Sequence, residues 1–201
     1  FRLLRTTLRF IDQADSIRSI AVTSWAEGEG KTTLASQLAL TMSASGTHTL
    51  IVDGDAYRPG LQPQLVTSST MPLEPGLSDY VLGAAPFEAC LHETTVPTLD
   101  FMPPGKQVPN LSSLLETRPG RTAFAELRDG GEMTIIDCPP LAVGADAPTI
   151  AGYVDGVILV ADIRRATLKS IDNALRPLNA VHDSTLGIVI NRDNSSQAES
   201  Y

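Results

Sequence analysis

The chain has 201 residues, 42% of them hydrophobic, which is enough for one domain with a real core and hardly enough for two. A formal charge of −8 excludes a general nucleic-acid surface, because that needs a basic face, but it leaves room for one phosphorylated ligand held by a few residues. Cys90 and Cys138 make no metal-ligand spacing and read as small buried apolar residues of a chain in a reducing compartment.

In chain order, residues 1–15 open on "FRLLRTTLRF", a helical pattern already under way at Phe1, as in a piece of a longer chain. No signal peptide is legible, and no apolar run approaches the roughly 18 residues of a membrane span. Ser19–Ser24 is a β-run that ends in the Gly-rich stretch "SWAEGEGKTT". Lys31–Ser45 follows with Leu34, Leu38 and Met42 on one helical stripe, and Gly46 is placed to cap it. Thr49–Asp53, Thr98–Met102, Met133–Asp137, Gly156–Ala161 and Leu186–Ile190 are further strands. Their nearly continuous Val, Ile and Leu content predicts burial on both faces. Helical patterns lie near 120–128, 145–153 and 167–181. The alternation predicts an α/β fold, a mostly parallel central sheet flanked by helices on both faces, with ligands beyond the carboxyl ends of the strands. Residues 58–77 and 103–110 read as surface loops, and 192–201 as a mobile polar tail. Tyr57, Tyr80 and Tyr153 read as core or helix-packing residues.

The chemistry gathers at strand ends. Gly28 and Gly30 free the backbone of Ala26, Glu27, Gly28, Glu29, Gly30, Lys31, Thr32 and Thr33 to aim N–H groups at phosphate oxygens. Lys31 adds a point charge, Thr32 offers a hydroxyl to Mg²⁺, and the helix beginning there presents its positive end. The usual loop spacing would place a glycine at Trp25. Mg²⁺ also needs carboxylates. Asp53 and Asp55, followed by Arg58, close one apolar run, and Asp137 closes another.

Together "AEGEGKTT", "LIVDGDAYRP" and "TIIDCPP" resemble the Walker A, Walker A′ and Walker B motifs of the bacterial tyrosine kinases, the cytoplasmic autokinases of capsule and exopolysaccharide assembly. "FRLLRTTLRF" resembles that family's N-terminal helix of subunit contacts, with Arg2 and Arg5 on its two arginines. "PPGKQVPNLSSLLET" is similar to the segment before the third motif. The resemblance covers nearly the whole chain.

It implies a P-loop NTPase-like fold binding ATP and Mg²⁺. Residues 26–33 and Arg58 would hold the nucleotide, and Asn191 matches a position that contacts adenine in related folds. Thr32, Asp53, Asp55 and Asp137 would bind the metal, directly or through water. Lys31, Asp53, Asp55 and Asp137 form the implied catalytic set, with one of Asp53 and Asp55 orienting or deprotonating a phenol. The resemblance further implies a ring-like homo-oligomer whose tails are phosphorylated in trans. It also implies a membrane-anchored polysaccharide co-polymerase or activator domain, fused or separate, that tethers this cytoplasmic domain at the inner face of the membrane. The family carries a tyrosine cluster in its tail, whereas here Tyr201 is the one tail candidate for the acceptor. Two rivals stand beside this reading. One is an ATPase switch of the partitioning or cell-division-site type, whose second loop lysine would fall at Ala26. The other is a catalytically weak ATP-binding module of a polysaccharide assembly complex.

Overall fold

A computed structural model describes residues 1–11, 17–66, 73–129, 132–181 and 185–193. The apolar runs form β1 (Ser19–Ser24), β2 (Thr49–Asp53), β4 (Leu99–Met102), β5 (Met133–Asp137), β6 (Gly156–Asp162) and β7 (Thr185–Asn191), joined by a two-residue β3 (His92–Glu93). They make one seven-stranded sheet in the order β3-β4-β2-β5-β1-β6-β7. Every described pairing is parallel except that of β3 with β4.

Side chains alternate across the sheet, as a strand's period of two requires. In β2, Leu50 and Val52 enter one core and Ile51 the other; in β6, Val157 and Leu159 oppose Ile158 and Val160. Helices α1 (Arg2–Ile11), α2 (Lys31–Ser43) and α3 (Gln62–Leu65) lie on the Ile51 face, which they meet through Leu8, Leu34, Leu38 and Leu65. The other face is covered by α4 (Leu77–Val81), α5 (Leu111–Leu115), α6 (Arg118–Asp129), α7 (Asp146–Ala151) and α8 (Leu168–Val181), through Val81, Leu115, Phe124, Ile150 and Leu178. The α/β, mostly parallel architecture follows the sequence expectation.

Several local expectations need correction. β7 is not buried on both faces: it lies at the sheet edge with β6 as its partner, and Ile190 is 49% exposed. Segment 58–77 is not simply a surface loop. Leu61 and Leu65 are buried against α2, Leu61 with no exposed surface, and α3 lies between 62 and 65. Segment 103–110 has no regular element, yet Val108 is buried. Tyr80 and Tyr153 pack as expected, tilted against Phe87 and Phe124. Tyr57 does not: it is 47% exposed. Both cysteines are buried and free. Residues 12–15 of the opening helix and 194–201 of the tail, Tyr201 among them, lie outside the described residues.

Candidate active site

Because β1 is flanked by β5 and β6, and β2 pairs with β5, the loops leaving β1, β2 and β5 emerge side by side at the carboxyl edge. Asp53 and Asp137 are register partners across β2 and β5. The loop after β1 turns through Gly28 (φ 76°) and Gly30 (φ 103°), left-handed conformations that side chains with a Cβ resist. A Cβ at Gly30 would also stand 2.1 Å from Asn191 Nδ2.

The loop is fixed at several points. The buried Glu29 carboxylate accepts the Ala26 N–H at 2.8 Å. Asn191 Nδ2, at the end of β7, donates to the Glu29 carbonyl at 2.8 Å. Arg165 Nη1 donates to the Glu27 carbonyl at 3.2 Å. Trp25 is partly buried, and its carbonyl accepts the Ala142 N–H at 3.0 Å. The position that lacks the usual glycine is therefore strapped to the loop after β5.

Lys31 opens α2 with its ammonium buried among acids, 3.1 Å from Asp55 Oδ2 and 3.7 Å from Asp137 Oδ1. Burial alone would lower its pKa, but Asp137 and Asp55 outweigh burial and hold it above its ordinary value. The carboxylates differ sharply. Asp53 accepts three backbone N–H groups: Asp55 on Oδ1 at 3.2 Å, and Gly60 and Leu61 on Oδ2 at 3.1 and 3.2 Å. Burial nevertheless pushes its pKa up to about 7, with the Asp137 charge adding to the rise. Asp55 accepts the Arg58 N–H on Oδ1 at 3.0 Å and Lys31 on Oδ2. Asp137 has both oxygens buried without a hydrogen-bond partner among the described residues, and burial, opposed by Lys31, raises its pKa to about 6.

Lys31, at 3.7 Å, meets Asp137 as a charge and not as a hydrogen bond, and a buried carboxylate so loosely met costs free energy that a closer cation or a proton relieves. Asp137 therefore fits a divalent cation, and the Thr32 hydroxyl, 3.5 Å from Lys31 Nζ, belongs to the same corner. Among the described residues no three His, Cys, Asp or Glu side chains converge on a metal-sized point, so Asp53, Asp55 and Asp137 do not all lie at direct-ligand distance of one ion, and the expectation of contacts through water is the one that fits. Asp53 is occupied by backbone and Asp55 by Lys31. One or two carboxylates suffice for Mg²⁺, which keeps waters and phosphate oxygens as its other ligands.

The remaining candidates separate from this centre. Arg58 points outward and pairs with Glu27, both largely exposed. Arg2 is exposed, while Arg5 is half-buried against its own chain, donating to the Thr41 carbonyl at 3.4 Å. Sequence reasoning missed Asp162, whose fully buried side chain ends β6 and binds Arg164 at 2.9 Å and Arg192 at 2.6 Å. The Arg164 hydrogen bonds hold its carboxyl well below the usual range. An Asp closing an apolar run is the signal that picked out Asp53 and Asp137, and it was available here too.

A family model described as an AAA domain matches residues 17–190. Tyrosine-protein kinase CpsD of Streptococcus agalactiae serotype III (strain NEM316) is 32% identical over 198 residues, covering 98% of this chain and 83% of that protein. The kinase domain of Escherichia coli tyrosine kinase ETK superposes with a TM-score of 0.86 at 26% identity, covering 100% of this chain and 78% of the other. The septum site-determining protein MinD of Pyrococcus horikoshii OT3, solved with Mg-ADP, gives a TM-score of 0.70 at 22% identity over 90% of this chain and 72% of its own, a likeness of fold alone.

Proposed function

Since the chain belongs to the AAA-domain tyrosine-protein kinases, we propose that its acidic strand edge passes the γ-phosphoryl group of ATP to the phenol oxygen of a tyrosine. The observation that carries this reading is Lys31, buried between Asp55 and Asp137 directly behind a left-handed glycine loop. The bond from phenol oxygen to phosphorus forms as the bond to the ADP oxygen breaks, and ADP leaves with that electron pair. Such a transfer demands positioning and charge neutralisation more than covalent chemistry.

Backbone N–H groups of residues 28–33 and the Lys31 ammonium bind the phosphates. Asp137 and Thr32 would hold Mg²⁺. Held there, it would supply charge neutralisation for the phosphate oxygens. Asp53 fixes the 54–61 loop through Gly60 and Leu61. Asp55 then takes the phenol proton, since its Oδ2 lies in the Lys31 corner where the phosphoryl group is bound, whereas both Asp53 oxygens accept backbone N–H groups. A phenol with a pKa near ~10 benefits from that base.

The family resemblance supports a setting in polysaccharide polymerisation and export. There, a membrane-anchored co-polymerase domain, fused or separate, recruits this unit to the inner membrane face. Among the described residues no helix is long and apolar enough to cross a membrane. Residues 1–201 are read as one kinase domain. α1, with Arg2 outward, serves self-association into a ring, and Tyr201 accepts phosphate in trans. Incubation with γ-labelled ATP and Mg²⁺ tests the reading: label should appear on tyrosine and vanish in Lys31→Met. Free phosphate without labelled protein would instead mark an ATPase switch. Retained ATP binding with neither product would mark a catalytically weak module.

A further inference from the structure

Beside the acidic edge lies an open cleft of about 380 Å³ whose walls include Tyr57, Pro109, Asn110, Pro139, Val143 and Asp146. Two walls extend the catalytic loops: Tyr57 is two residues beyond Asp55, and Pro139 two beyond Asp137. We infer that this cleft seats the ring of the acceptor tyrosine, with Tyr57 and Val143 as its specificity-determining walls. The inference rests on the kinase reading above and deepens it.

Three observations carry it. First, the approach is one-sided. On the β6–β7 side the phosphate loop is covered by Arg165 and Asn191, each bonded to a loop carbonyl. The cleft opens on the other side, beside the loops of β2 and β5. Second, the size suits one side chain: ligand pockets run roughly 300–1,000 Å³, and this one lies near the lower limit. Third, the chemistry suits a neutral phenol. No lysine or arginine is among the described residues that line the cleft, and its one ionisable acid, Asp146, is buried with Oδ1 accepting the Ser112 N–H at 2.9 Å. An aromatic ring between Tyr57, two prolines and Val143 finds apolar contact. The cleft lining itself offers a phosphotyrosine no basic side chain. Tyr57 is 47% and Val143 55% exposed, so neither is committed to the core.

The test uses the whole chain, saturating Mg-ATP, and a synthetic peptide carrying one tyrosine among serines and alanines. Tyr57→Ala and Val143→Asp should each raise the peptide KM about tenfold, the scale of losing a hydrophobic pocket contact. Mg-ADP affinity and melting temperature should stay at wild-type values, and Tyr57→Phe, which keeps the ring, should keep the wild-type peptide KM. If wild-type protein labels no tyrosine, the kinase reading fails and this inference with it. If wild type labels the peptide and both variants leave its KM unmoved, the cleft assignment alone is overturned. Phosphate found by mass spectrometry on Tyr57 itself would also overturn it, by making that residue a substrate instead of a wall.

Discussion

Lys31 is the side chain on which both chemistry and stability converge. Replacing it with methionine removes a phosphate ligand, and tyrosine labelling should fall about 100-fold or more, the usual scale for one preorganised charge donor. The same change strands Asp55 and Asp137 without their counter-charge. Lys31→Met should therefore melt at a lower temperature than wild type, with a larger deficit at pH 8 than at pH 6, where Asp137 takes up a proton more readily. Equal deficits at both pH values in a thermal-shift assay would remove Lys31 as their counter-ion. The two proton-acceptor candidates are also separable. Asp55→Asn should abolish transfer while Mg-ADP still binds, whereas Asp53→Asn should weaken Mg-ADP binding because the 54–61 loop loses its anchor. The opposite pattern in a titration would exchange their roles. Lys31 and the three acids were legible in the sequence because a charge closing an apolar run, or following a Gly-rich turn, is a local signal. Their division of labour was not legible, because it depends on where the Gly60 and Leu61 N–H groups fall in the folded loop. Asn191 was legible as a strand-end residue, but its bond to the Glu29 carbonyl spans 162 residues of chain.

At the level of elements, the phosphate loop and α2 act as one piece braced from β7. Gly30→Ala should be severe for two reasons: the left-handed φ, and the 2.1 Å approach of Asn191 Nδ2. Isothermal titration should show Mg-ADP affinity reduced at least tenfold. Adding Asn191→Ala to Gly30→Ala relieves the collision while leaving the strain, so it should restore part of the affinity; no recovery in the double variant would show that strain alone matters. Strands β1, β2, β5 and β6 announced themselves by continuous aliphatic content. β7 carries the same content yet lies at an edge, because composition records what a strand could bury and says nothing about its neighbours. Helices α3, α4 and α5, of four or five residues each, are too short to repeat a 3.6-residue pattern.

For the molecule as a whole, the sheet edge stores an electrostatic cost. Burial raises the carboxyls of Asp53 and Asp137 to about 7 and about 6, so the folded chain holds protons that the unfolded chain has already released. Stability then falls as pH rises through these values and the contribution is lost above them. The nucleotide-free protein should melt several degrees lower at pH 8 than at pH 5, since ~1 kcal/mol moves a chain of this size by about 2–4 °C. Asp137→Asn should flatten that slope, and so should Mg-ADP, which brings a cation to the same carboxylate. A wild-type melting temperature that is level from pH 5 to 8 would contradict the buried charges. The strand order has a further consequence, one of timing. β1 carries the phosphate loop, yet its two neighbours, β5 and β6, come far later in sequence and end at Asp137 and Asp162. A ribosome making this protein releases the loop long before the strands that flank it. Pairing so distant in sequence is slow to form, and the growing chain has no complete nucleotide site until β5 and β6 have been made.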